Sequence, residues 1–152
     1  SGLGDVEGQF RWRISKETAT RPELFSYFEY VLPLQKNRKL IGTQNWELSL
    51  GLGAIRGYHW GTMTVRATVE YTGSDKSFDI GEYAIEYVRR FSESFRFYVG
   101  IEGSQDEVVF INDLQFFINP RMFIRINNSF GITSKAIDYG PEIGFLMYFN
   151  KK

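Results

Sequence analysis

A closed antiparallel β-barrel that crosses a membrane, apolar outside and polar inside, is the fold class this sequence predicts. Three observations lead there. Apolar and polar residues alternate along almost the whole chain, which is the signature of strands that send successive side chains to opposite faces. The alternating segments are long, roughly nine of them at about 10–14 residues against the ~5–6 usual in soluble sheets. Their connections alternate between tight and extended, as in an up-and-down meander.

The elements follow in order. Val6, Phe10, Trp12 and Ile14 oppose Glu7, Gln9, Arg11 and Arg13, and Phe28, Tyr30 and Leu32 oppose Tyr27 and Glu29. Trp46, Leu48, Leu50, Leu52 and Ala54 alternate with Asn45, Glu47, Ser49, Gly51 and Gly53. Met63, Val65, Ala67, Val69 and Tyr71 alternate with Thr and with Arg66 and Glu70. Tyr83, Ile85, Tyr87 and Phe91 oppose Glu82, Glu86 and Arg90, with Arg89 interrupting the apolar set. Phe95, Phe97, Val99 and Ile101 oppose Arg96, Tyr98, Gly100 and Glu102. Val108, Phe110, Leu114, Phe116 and Ile118 oppose Asp113 and Gln115, and Met122, Ile124 and Ile126 oppose Arg121, Arg125 and Asn127. The last segment sets Ile143, Phe145, Met147 and Phe149 against Glu142, Gly144 and Tyr148. No segment carries a 3.6-residue period with caps.

Tight turns fall at Arg56-Gly57-Tyr58, Ser92-Glu93-Ser94 and Asn119-Pro120; longer polar loops fall at 35–40, 73–77, 103–106 and 133–138. The stretch from Ser15 to Glu23 is long where a tight turn is due. A strand of about 11 residues covers ~36 Å, and a tilt of ~40–45° reduces this to the ~25 Å apolar band of a membrane barrel. Small residues (Gly51, Gly53, Gly100, Gly144, Ser49) fall on the charged face, where a cramped interior needs them. Aromatic residues gather at the tight-turn end: Tyr58, Trp60, Phe91, Phe95, Phe116, Met122 with Phe123, Tyr148 and Phe149. Rings of this kind settle at the lipid headgroup level.

Composition narrows the alternatives. The chain has 152 residues, enough for a single domain over 1–152. Its 18 basic and 18 acidic side chains balance, so long-range attraction to nucleic acid has no support. Cysteine is absent, which removes thiolate metal sites and cysteine nucleophiles. No apolar run is long enough for a transmembrane helix.

The run Ile143-Gly144-Phe145-Leu146-Met147-Tyr148-Phe149 alternates and ends on an aromatic residue near the terminus. In this the chain resembles bacterial outer-membrane β-barrel proteins, although Asn150-Lys151-Lys152 follow the aromatic residue. The resemblance implies location in the bacterial outer membrane, tight turns on the periplasmic side and longer loops outside. Bacterial barrels of one chain have an even strand number, whereas nine crossings would put the two termini on opposite sides. The expectation is therefore about eight to ten strands, as a complete barrel or as part of a larger one.

The interior would hold Arg11, Arg13, Arg66, Arg90, Arg96 and Arg125 against Glu7, Glu29, Glu47, Glu70, Glu82, Glu86, Glu102, Asp113 and Glu142. Such charges are tolerated inside only when paired and hydrogen-bonded. They read as a structural network filling a lumen, or as a path for a small polar solute, with the acid excess favouring cations. Tyr58, Trp60, Phe91, Phe95, Phe116 and Phe149 form the expected interface girdle, the lipid bilayer being the partner. Neither a cofactor nor a metal is called for: Glu82 and Glu86 lie ~13 Å apart by rise and cannot chelate one ion. The basic cluster Lys36, Asn37, Arg38 and Lys39 reads as a solvated loop or a contact for anionic headgroups. Two rival readings stay open: a soluble calyx holding a lipophilic ligand, and an outer-membrane hydrolase working through His59, the only histidine. No catalytic residue is otherwise expected, and oligomeric state is not legible.

Overall fold

The computed structural model describes residues 6–33, 45–73 and 77–149. The cluster Lys36–Lys39 and the terminal Asn150-Lys151-Lys152 lie outside the described residues. Nine strands follow one another among those described: β1 (Val6–Ser15), β2 (Glu23–Leu32), β3 (Glu47–Tyr58), β4 (Gly61–Thr72), β5 (Ser77–Arg90), β6 (Phe95–Gly103), β7 (Val108–Asn119), β8 (Met122–Gly131) and β9 (Tyr139–Met147). Strands adjacent in sequence are adjacent in the sheet, from β1 through β9. The architecture is an antiparallel up-and-down meander of strands 9 to 14 residues long. That range meets the ~9–11 residues a tilted strand needs to cross a bilayer.

One expectation is not met. The sheet does not close into a barrel: among the described residues β1 is paired with β2 alone and β9 with β8 alone. The odd strand number is the physical reason a simple seam is awkward. Nine alternating strands leave the first and last running in the same direction, so a bond ladder between them would be parallel.

The chain divides into two compact units, Ser1–Ala54 with Arg66–Tyr83, and Ile55–Val65 with Ala84–Lys152. In the first unit β1 pairs with β2 residue for residue from Val6↔Leu32 to Arg13↔Phe25, so Val6–Ile14 is a full strand. The register places Glu7, Gln9, Arg11 and Arg13 on the same face as Val31, Glu29, Tyr27 and Phe25. The long β1–β2 connection closes on itself, Thr18 N–H donating to Arg21 O at 2.9 Å and Arg21 N–H to Thr18 Oγ1 at 3.1 Å.

In the second unit the pairs Arg96↔Gln115, Gln115↔Arg125 and Arg125↔Gly144 form one polar row across four strands. Tyr98, Asp113, Asn127 and Glu142 form the next row. On the opposite face the rows are Phe95, Phe116, Ile124 and Phe145, then Phe97, Leu114, Ile126 and Ile143. The loops between β6 and β7 and between β8 and β9 are tied together: Thr133 Oγ1 accepts from Val108 N–H at 3.1 Å and donates to Asp106 O at 3.0 Å.

Burial sorts the two faces, and the sort is inverted from that of a water-soluble sheet. The most buried large side chains, Phe25, Tyr27 and Phe123, all belong to the charged face by register. The apolar face is exposed, with Leu50 at 57%, Val65 at 46% and Ile143 at 79%.

Candidate functional site

The charged face is the candidate site, and its packing begins with glycine. A Cβ on Gly51 would stand 2.2 Å from Cζ of Tyr27, and one on Gly53 would stand 2.2 Å from Cζ of Phe25. A side chain at either position would collide with the neighbouring aromatic ring. Arg11 in turn places its guanidinium 3.8 Å from the Phe25 ring centroid, a cation–π stack.

Beyond these rings, in the same unit, a recess of about 530 Å³ is lined by Glu7, Gln9, Glu29, Glu47, Glu70 and Glu82, with Ser49 and Thr68. Gln9 donates to Glu29, and Thr72 Oγ1 donates to Glu70 at 3.4 Å. Arg66 reaches Glu82 at 3.8 Å, and Thr68 Oγ1 bonds Glu82 O at 2.9 Å. Arg13 meets Glu23 at 3.4 Å on an open surface. Acid therefore predominates in this recess.

The second unit is packed differently. Asp113, with 3% of its surface exposed, binds Arg125 at 3.1 Å and accepts from Gln115 Nε2 at 3.0 Å through the same Oδ2. Tyr98 donates to Glu102 at 3.0 Å. Phe117 and Phe123 stack at 5.0 Å, with Arg96 5.0 Å and Arg90 5.8 Å from the Phe117 ring. Arg90 also ties the β5–β6 turn, donating to Ser92 O at 3.1 Å and Glu93 O at 3.0 Å. Glu86 is half-buried on β5, and Glu142 is exposed on β9 opposite Asn127.

Arg13, Arg66 and Arg125 meet carboxylates, whereas Arg11, Arg90 and Arg96 also lie over aromatic rings. The sequence reading missed Phe25, Phe117 and Phe123 as partners. Position parity carried the signal, because Phe117 continues the set Asp113, Gln115, and Phe123 precedes Arg125 by two. Phe123 accordingly belongs to the charged face, not to the aromatic girdle.

The girdle residues touch laterally at the tight-turn end of the second unit. Tyr58 stacks on Trp60 at 4.7 Å, Trp60 meets Tyr87 at 5.3 Å, and Tyr87 donates to Trp60 O at 2.6 Å. Phe91 stacks on Phe95 at 5.6 Å, and Phe95 meets Phe116 at 5.2 Å. Arg89 lies 4.8 Å from the Phe91 ring and Arg56 lies 6.0 Å from the Tyr58 ring. Phe149 stands past the end of β9, 85% exposed. His59 is an exposed turn residue beside Trp60. Among the described residues no three His, Asp or Glu side chains are placed to hold a metal ion.

No known protein-family model matches the chain, and no curated protein matches it.

Proposed function

We propose that the chain is an integral outer-membrane β-barrel protein whose charged interior is held by ion pairs and ring stacks, serving as a structural anchor. The observation that carries this reading is the inverted burial. Leu50, Leu52, Val65, Val69 and Ile143 are exposed, while Phe25, Tyr27 and Asp113 are not. Exposed apolar area on this scale is costly in water and costs nothing in hydrocarbon. It favours the membrane over a calyx, which needs these residues enclosed. Trp46, Leu48, Leu50, Val69, Tyr71 and Phe78 also line a shallow apolar groove of about 330 Å³, a shape suited to a lipid acyl chain.

Barrel closure is part of the proposal. An unpaired strand edge in hydrocarbon costs several kcal/mol for each unsatisfied backbone group, so β1 and β9 must acquire strand partners on insertion. Cysteines introduced at Phe10 and Ile143, in a chain that has none of its own, read out that partnering. An intramolecular cross-link in vesicles marks a self-closed barrel, and a cross-linked dimer marks an assembly built from copies.

The central experiment is solubility and gel mobility. A protein that needs detergent and whose folded form migrates apart from the boiled form fits the proposal. A chain that stays monodisperse in plain buffer overturns it. A second reading, a narrow cation-preferring channel, is favoured by the acid-lined recess. Planar-bilayer recording separates the two, since an anchor passes no current.

A further inference from the structure

The apolar face of the second unit carries two positive charges where the two-residue repeat calls for apolar side chains. Arg56 shares its parity with Tyr58 on β3, and Arg89 shares its parity with Ile85 and Tyr87 on β5. Side chains two residues apart on a strand point to one face, so both arginines stand on the side where Tyr58 and Ile85 are exposed. Each guanidinium is bent over the ring two residues further along its strand. Arg56 lies 6.0 Å from the Tyr58 ring centroid, and Arg89 lies 4.8 Å from that of Phe91. β3 runs into the turn at 59–60 and β5 into the turn at 92–94, so both heads lean toward the same, tight-turn end. Between them Tyr58 meets Trp60 at 4.7 Å and Trp60 meets Tyr87 at 5.3 Å, a shelf of rings across the two strands.

Charge and shape together select the occupant. Among the described strand residues on this face of the unit, none is Asp or Glu, so its fixed charge is positive and calls for an anion. Stacking engages the flat face of a guanidinium, whereas its N–H donors lie in the plane and match the oxygens of a phosphate. The surroundings are apolar: on the side away from the turns, Val65 and Ile85 are exposed and offer hydrocarbon contact. A free anion gains nothing from those side chains. A molecule with an anionic head and an apolar chain uses both parts of the surface. Long basic side chains on a lipid-facing surface carry their heads to the interface while their stems stay in the apolar layer. Aromatic rings settle at that same depth.

We propose that Arg56 and Arg89, with the ring shelf between them, hold the phosphate headgroup of a net-anionic phospholipid whose acyl chains run down the apolar face. The site rests on the membrane reading of the fold. The test is quenching of Trp60 fluorescence in vesicles by lipids brominated on their acyl chains, in a full chain carrying Trp12→Phe and Trp46→Phe. The probes are brominated phosphatidylglycerol and brominated phosphatidylcholine, each diluted into plain phosphatidylcholine. Stronger quenching by the phosphatidylglycerol is expected, and its preference falls about fivefold with Arg56→Gln or Arg89→Gln, the weight of one cation near an anionic surface. Arg21→Gln, which removes an exposed charge from the β1–β2 connection, is expected to leave it unchanged. Gel mobility establishes that each variant is folded, and Arg89→Met serves as the second probe if a glutamine variant is not. Equal quenching by the two lipids overturns the site and leaves the membrane reading standing. Quenching by neither overturns both. A preference that survives both arginine substitutions overturns the site, as does one that inorganic phosphate abolishes and sodium chloride of equal ionic strength does not, since the site then takes free phosphate.

Discussion

Asp113 shows how much a single charged residue here depends on its neighbours. Its side chain is 4% exposed and Arg125 retains 32%, so removing the arginine leaves a carboxylate with little access to solvent. Arg125→Met is expected to lower stability by about 3 kcal/mol, the lower end of the range for breaking a buried pair. Denaturant unfolding measures it, and adding Asp113→Leu is expected to restore most of the loss. Arg13→Ala provides the contrast: its pair with Glu23 is open to solvent, and a change within ~1 kcal/mol is expected. Gly51 is constrained by contact alone. Gly51→Ala drives a methyl into the Tyr27 ring and is expected to cost about 1–3 kcal/mol as overpacking.

At the scale of elements, the β3–β4 hairpin is closed by a contact across to β5. Gly61 adopts φ 156°, and a Cβ there would come 2.3 Å from the Tyr87 ring. Tyr87 also holds Trp60 O through its hydroxyl. Tyr87→Phe is expected to cost about 1 kcal/mol, one hydrogen bond, with the ring stack kept; the Trp60 fluorescence maximum should move little. β5 also shows where simple alternation misleads. Exposure falls on Phe78 and Ile80, then on Ile85 and Phe91, a change from even to odd positions. Glu82 continues the exposed even positions and Ala84 is buried, so strict alternation does not run the length of the strand. On β7 and β8 the apolar face includes Asn112 and Asn128, which bond each other at 3.3 Å, with Tyr139 donating to Asn128 at 2.9 Å. These polar groups are tolerated there because they satisfy one another.

At the scale of the whole molecule, the decisive quantity is the surroundings of the apolar face. Leu50→Arg separates the two settings. In a bilayer midplane it is expected to cost about 2–4 kcal/mol, whereas on a water-facing strand the change is within ~0.5 kcal/mol. Unfolding in vesicles, followed by the loss of the heat-shifted gel band, measures the difference. The same substitution in plain buffer should improve solubility by breaking an apolar patch.

What the sequence determined by itself is local and periodic. The strands, their meander order and the assignment of most side chains to one face or the other follow from a two-residue repeat, which each residue carries in its own number. The tertiary structure decided what no period encodes. It set aromatic rings against Arg11 and Arg96, broke the alternation of exposure along β5, and left β1 and β9 unpaired with each other among the described residues. Those outcomes depend on contacts across strands and on the total strand count, which are properties of the assembled sheet.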